Sequence, residues 1–185
     1  MRMENNNKKS STFYSYCLNP QAKFDTQEDG EKVYLLLRSH PFTQIGWILS
    51  SILFFVLLFS LNFFIQSFFN PGQIFLINLF FTIIILSYIW FNILNWYFNV
   101  GIITSKRVID IDFYAVLYKE ITNAQLGRIE DTTVKSGGYI ESFFDYGSIF
   151  VQTAGTEANV EFINVPHPSD AVQIINKLLS KKHGL

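Results

Sequence analysis

For 67 consecutive residues, between Arg38 and Lys106, the chain contains no Asp, Glu, Lys or Arg. That absence excludes an ordinary water-facing surface, and the rest of the 185-residue chain is too short to wrap the stretch in a soluble core. The run breaks near its middle, at Asn70-Pro71-Gly72. Each half, about residues 42–69 and 73–97, exceeds the ~20 apolar residues that cross a ~30 Å hydrocarbon layer at 1.5 Å per residue. The expectation is a transmembrane helical hairpin over residues 39–97, preceded by a cytoplasmic tail and juxtamembrane segment at 1–38 and followed by a second cytoplasmic domain at 98–185.

Other absences narrow the function. Cys17 is the only cysteine, so no internal disulfide can form and the polar parts suit a reducing compartment. Residues 1–38 carry six basic and five acidic side chains and residues 106–185 carry eight and ten, so nucleic-acid binding is not expected. Met1–Thr12 is polar, which argues against a cleavable signal peptide. His40, His167 and His183 are too scattered for a metal site. Gly155-Thr156-Glu157 reads as a hairpin tip, because neither G-x-x-x-x-G-K-[ST] nor G-x-G-x-x-G occurs. The two apolar halves hold no His, Asp, Glu or Cys and therefore offer no acid, base or ligand inside a membrane. No cofactor and no enzymatic activity is expected.

The charges that are present give an orientation. The turn at residues 66–73 is uncharged, whereas Lys32 and Arg38 precede the hairpin and Lys106, Arg107 and Lys119 follow it, which puts both termini in the cytoplasm. Trp47 and the pair Trp96-Tyr97 then fall at one interface as anchors, where amphipathic rings prefer to lie. Asn62 and Asn78 are placed to bond between the helices or within an oligomer contact.

Residues 1 to about 23 read as a mostly disordered tail. Val33–Leu37, between Gly30 and Pro41, reads as a short strand. After Tyr97 the periodicity becomes strand-like, with segments at 98–104, 108–113, 117–122, 129–135, 148–153 and 159–164, a loop at Asn123–Arg128 and a helical patch at Ile140–Phe144. A helix follows Pro168, with Ser169 as cap and Val172, Ile175, Leu178 and Leu179 on one face. The fold class is α+β: the two-helix hairpin, then an antiparallel β-barrel or sandwich closed by one C-terminal α-helix.

The order of several short motifs resembles the bacterial membrane-flanked PH-like domain family over about residues 28–181. The elements are Arg38-x-His40-Pro41, Thr104, Arg107, Arg128-Ile129, Asp131 and Gly147. The resemblance implies a pleckstrin-homology-like domain on a membrane anchor, without recognised catalytic residues.

Candidate contacts for lipid or partner are Lys106, Arg107, Tyr114, Arg128 and Tyr139. Lys106 and Arg107 lie in the first strand turn, where a phosphoinositide-binding PH domain would place phosphate-holding cations. A first strand of about seven residues at ~3.3 Å each lifts this turn ~20 Å from the membrane, so Arg107 is expected to satisfy the turn or pair with Asp110 or Asp112. The second turn, with Tyr114, and the Gly137–Phe144 segment, with Tyr139, return to the membrane side, where aromatic tips would meet the headgroup layer. Arg128 with Glu130 and Asp131 reads as a polar network. The leading function is a non-enzymatic scaffold module that sits on the lipid bilayer at the cytoplasmic face and binds a protein partner or a second copy. The alternatives are a module that binds anionic lipid headgroups and a hairpin subunit of an oligomeric pore or transporter.

Overall fold

The computed structural model describes residues 14–21, 23–24, 26–114, 118–154 and 159–183. Residues 1–13 of the expected tail, and the loop tips at 115–117 and 155–158, lie outside these.

Pro41, whose missing N–H suits a helix start, opens a 3-10 turn over Pro41–Gln44 that runs into α1, Ile45–Ile65. The second helix, α2, spans Pro71–Phe98. Its start is fixed by a capping box in which Asn70 Oδ1 accepts from Gln73 N at 2.9 Å and Gln73 Oε1 accepts from Asn70 N at 3.1 Å. The first helix ends four residues earlier than residue 69. Phe68 N and Phe69 N both donate to the Ile65 carbonyl, and these turn bonds close the helix although the side chains remain apolar. Both helices are long and apolar enough to cross a membrane, and only 6% of the most hydropathic 18-residue window of each is buried.

The chain outside the helices forms two antiparallel sheets. The first contains β1 (Tyr16–Leu18), β2 (Val33–Leu37), β3 (Val100–Thr104), β4 (Arg107–Tyr114) and β5 (Tyr118–Gln125), in that spatial order. The second contains β6 (Ile129–Lys135), β7 (Tyr146–Thr153) and β8 (Val160–Pro166). A short helix, α3 (Gly138–Phe144), joins β6 to β7, and α4 (Pro168–His183) ends the described chain.

Two expectations are corrected here, and the choice between barrel and sandwich is narrowed. The sheets are separate, so the domain is a sandwich-like pair and no closed barrel forms among the described residues. The segment expected as a tail supplies β1, which is ordered because Tyr16, Cys17 and Leu18 pair with Leu37, Leu36 and Leu35. The expected Asn123–Arg128 loop begins as strand, since Asn123 pairs with Ile109 and Gln125 with Arg107, and only Leu126–Arg128 turns.

Strand alternation builds the core. Leu35, Leu37, Ile103 and Val108 from the first sheet face Ile149, Val151, Val160 and Phe162 from the second, and α4 adds Ala171 and Ile175. Each of the Leu, Ile, Val and Phe side chains, fully buried, contributes roughly 1.5–3 kcal/mol. Phe162 of the second sheet lies directly on Gly101 of the first; a Cβ there would stand 2.5 Å from the ring. The opposite face of the first sheet carries a second buried row, Cys17, Leu36, Ile102 and Ile109.

Candidate functional site

The hairpin and the sheets join at the Arg38-Ser39-His40-Pro41 segment, and each polar group there closes an exposed backbone end. Arg38 is buried; its Nε donates to the Tyr97 carbonyl at 2.9 Å and its guanidinium lies 4.8 Å from the Tyr97 ring centroid. A cation on the last turn of α2 also complements the negative end of the helix dipole. Trp96 Nε1 donates to the Ser39 carbonyl at 2.9 Å. His40 Nδ1 accepts from Phe42 N at 3.1 Å, and its ring stacks on Tyr146 at 5.2 Å. Burial, then the nearby His167, lower the His40 pKa, which favours the neutral ring that this acceptor role requires. Trp47, half-buried near the start of α1, donates to Gln44 Oε1 at 2.8 Å. Trp47, Trp96 and Tyr97 thus occupy the same end of the antiparallel helix pair.

The distal turn between β3 and β4 is neutralised by the chain itself. Arg107 makes a bidentate pair with Glu31, Nε to Oε1 at 3.1 Å and Nη2 to Oε2 at 3.2 Å, and also donates to the Thr26 carbonyl. Its partner is Glu31, not Asp110 or Asp112. Adjacent strands β2 and β3 bring Glu31 to the turn, whereas Asp110 lies three residues into β4 at the hairpin side. Lys106 Nζ pairs with Glu28 at 2.8 Å. Thr104 Oγ1 lies 2.7 Å from Glu31 Oε1 and accepts from Arg107 N at 3.0 Å. Burial pushes the Glu31 carboxyl up, but hydrogen bonds from Arg107, Thr104 and Glu28 outweigh it and hold the carboxyl below its usual range.

The other end of β4 returns to the hairpin: Asn99 Oδ1 accepts from Phe113 N at 2.6 Å, and the Phe98 and Phe113 rings lie 5.3 Å apart. Tyr114 closes β4 opposite Tyr118, and its side chain lies outside the described residues. Arg128 ends the Leu126–Arg128 turn on the surface, and its carbonyl accepts from Ala154 N at 2.8 Å. Asp131 Oδ1 accepts from Thr132 N at 2.7 Å. Tyr139, on α3, is 97% exposed.

One cluster was not anticipated. Asp110 and Asp112 share a face of β4 and line a crevice of about 260 Å³ with Glu161, Arg38, Asn99 and Phe162. Burial, then the Asp112 charge, push Asp110 up to about 8. Burial and Glu120 raise Asp112 as well. The signal was available, because Val108 and Asp110 are two apart and must share the core face. Among the described residues no group of three or more His, Cys, Asp or Glu is arranged to hold a metal ion.

The sequence pattern of a family described as "Bacterial PH domain" matches residues 48–180, from inside α1 to the last helix, with β1 and β2 lying before it. Among solved structures, the chain is similar to a DUF1696 family protein with a pleckstrin-homology domain from Shewanella loihica PV-4. That likeness has 18% identity, covers 45% of this chain and 68% of the other, and has a TM-score of 0.33. No curated protein matches the chain.

Proposed function

The chain belongs to the bacterial PH domain family, and from that premise we propose that it is a non-enzymatic scaffold module, anchored by α1 and α2 in a bacterial membrane, whose PH-like domain binds a protein partner at the cytoplasmic face. The anchoring rests on two long uncharged helices whose apolar side chains have almost no protein around them. Pairing of β2 with β3 requires both flanks of the hairpin to lie on one side, and the cations flanking it favour the cytoplasm. Reporter fusions at residue 70 and at the C-terminus test this, and a cytoplasmic turn would overturn it.

The observation that carries the protein-partner reading is the pairing of Lys106 and Arg107 with Glu28 and Glu31. A headgroup phosphate would have to displace two of the chain's own carboxylates, one of them fully buried. Strand β5, last in its sheet and mostly exposed along its length, supplies an edge of the kind that extended peptides join. A photo-crosslinking residue at Ile121 on β5 should give one protein adduct of defined mass in native membranes. Thermal stabilisation of the solubilised protein by soluble inositol phosphates, lost in Lys106→Glu, would instead favour the lipid reader.

A further inference from the structure

The short helix α3 divides its side chains unusually cleanly. Tyr139, Ile140 and Phe143 are 97%, 56% and 82% exposed, and none of them is buried by another element among the described residues. The polar residues between them are turned back on the helix: Glu141 accepts from Gly137 N–H, and Ser142 Oγ donates to the Gly138 carbonyl at 3.1 Å. Spacing of three and four residues groups 139, 140, 143 and 144 together. The conformation that presents them is specific. Gly138 takes φ +83°, which L side chains rarely adopt, and Asp145 closes the helix in the left-handed region at φ 50°.

This apolar face is continuous with the foot of the hairpin. Phe144 stacks on Phe42 with centroids 4.2 Å apart and planes at 28°, and Phe42 lies in the turn that leads directly into α1. His40 and Tyr146, stacked on each other, hold Phe42 from the domain side, with Phe42 and Tyr146 centroids 6.2 Å apart. The exposed aromatics of α3 therefore project beside the level at which the first helix begins, the level of Trp47 and Trp96.

We propose that Tyr139, Ile140 and Phe143 insert into the headgroup and upper acyl layer of the same membrane that α1 and α2 cross, making α3 a third point of attachment that fixes the domain's tilt. This rests on the membrane reading of the hairpin. Aromatic and aliphatic side chains on a short helix favour that layer, where the Tyr139 hydroxyl can meet the headgroups, and Glu141 and Ser142 each bond the backbone at the start of the helix.

The test uses the full chain in phosphatidylcholine–phosphatidylglycerol vesicles with an environment-sensitive fluorophore on single cysteines. Phe143→Cys and Ile140→Cys report on α3, Val56→Cys on mid-hairpin, and Gln125→Cys, paired opposite Arg107, on the distal end. Cys17 is 2% exposed and does not compete for the label. Blue-shifted emission at 140 and 143, quenched most by a spin label near the headgroup and insensitive to aqueous iodide, is expected, with position 125 behaving as in water. Water-like emission at 140 and 143 with deep quenching at 56 would overturn the insertion and leave the hairpin reading intact. Water-like emission at all four positions would remove both. Shielding at 143 from iodide and lipid labels alike would mean that a second copy covers α3, which also overturns the proposal.

Discussion

Arg107 and Glu31 are separated by 76 positions and meet in a bidentate ion pair whose carboxylate side chain is fully buried. The cation that looked like a phosphate ligand is a strut between β4 and the segment leading into β2.

Removing one partner of this pair should therefore be costly. Glu31→Gln is expected to destabilise the domain by about 3 kcal/mol, since it leaves a mostly buried guanidinium short of its counter-charge. Because the folded state holds the Glu31 carboxyl below its ordinary value, this contribution is present at neutral pH and is lost as the pH falls through that lowered value. Chemical denaturation at pH 7 and in acid checks both statements; equal stability of variant and parent at pH 7 would refute the first.

Asp110 titrates the other way. Its carboxyl is raised to about 8, so the folded state prefers it protonated, and its contribution to stability is fully present below the ordinary carboxylate range and declines until about pH 8. Asp110→Asn removes that decline. The variant should match the parent near pH 4 and exceed it by roughly 2–5 kcal/mol at pH 9, a difference to be read from thermal melts at the two pH values. A constant difference across that range would show that Asp110 does not titrate there.

Within the hairpin, Asn78 Nδ2 donates to Asn62 Oδ1 at 2.7 Å and Asn62 Nδ2 to Asn78 Oδ1 at 3.0 Å. In an apolar layer such a pair is worth about 0.6–1.7 kcal/mol. A double-mutant cycle with Asn62→Leu and Asn78→Leu, measured by unfolding in bicelles, should return a coupling of that size. Strict additivity of the two changes would mean the amides act independently.

The domain should not survive amputation of the segment before the hairpin. Residues 98–185 alone lack β1 and β2 and expose the backbone edge of β3, so they should lose the cooperative transition in circular dichroism. Residues 14–40 joined to 99–183 by a short Gly-Ser linker should regain it, because Leu37 already lies opposite Gly101.

Extremes of composition and period made part of this legible. The uncharged run fixes the hairpin and Asn70-Pro71-Gly72 its break, and the expected face of α4 meets the core, with Ile175 buried and Val172, Leu178 and Leu179 partly buried, although Ala171, also buried, is not among the residues assigned to it. Local pattern says nothing, however, about partners distant in the chain. Tyr16–Leu18 is too short and too polar in its surroundings to announce a strand, and it is one only because Leu35–Leu37 offers an edge. Glu31 could not be matched to Arg107 without knowing that β2 and β3 adjoin. Alternation assigns each strand two faces but not a sheet, so the split into five strands and three was hidden. The exposure of Tyr139 depended on α3 meeting the foot of α1 through Phe144 and Phe42, a contact between segments about a hundred residues apart.

Strand β2 is synthesised before the hairpin and β3 after it, yet the two are zipped together from Val33–Thr104 to Leu37–Gly101. With the hairpin inserted as proposed, the sheet can close only once both helices lie in the bilayer with their outer ends on a common side. A chain threaded with a single crossing would strand β2 and β3 in different compartments, leaving Leu35 and Ile103 without the neighbours that bury them. On the proposed insertion, closure of the sheet would thus separate a correctly threaded hairpin from a misthreaded one, in which β2 and β3 stay unpaired.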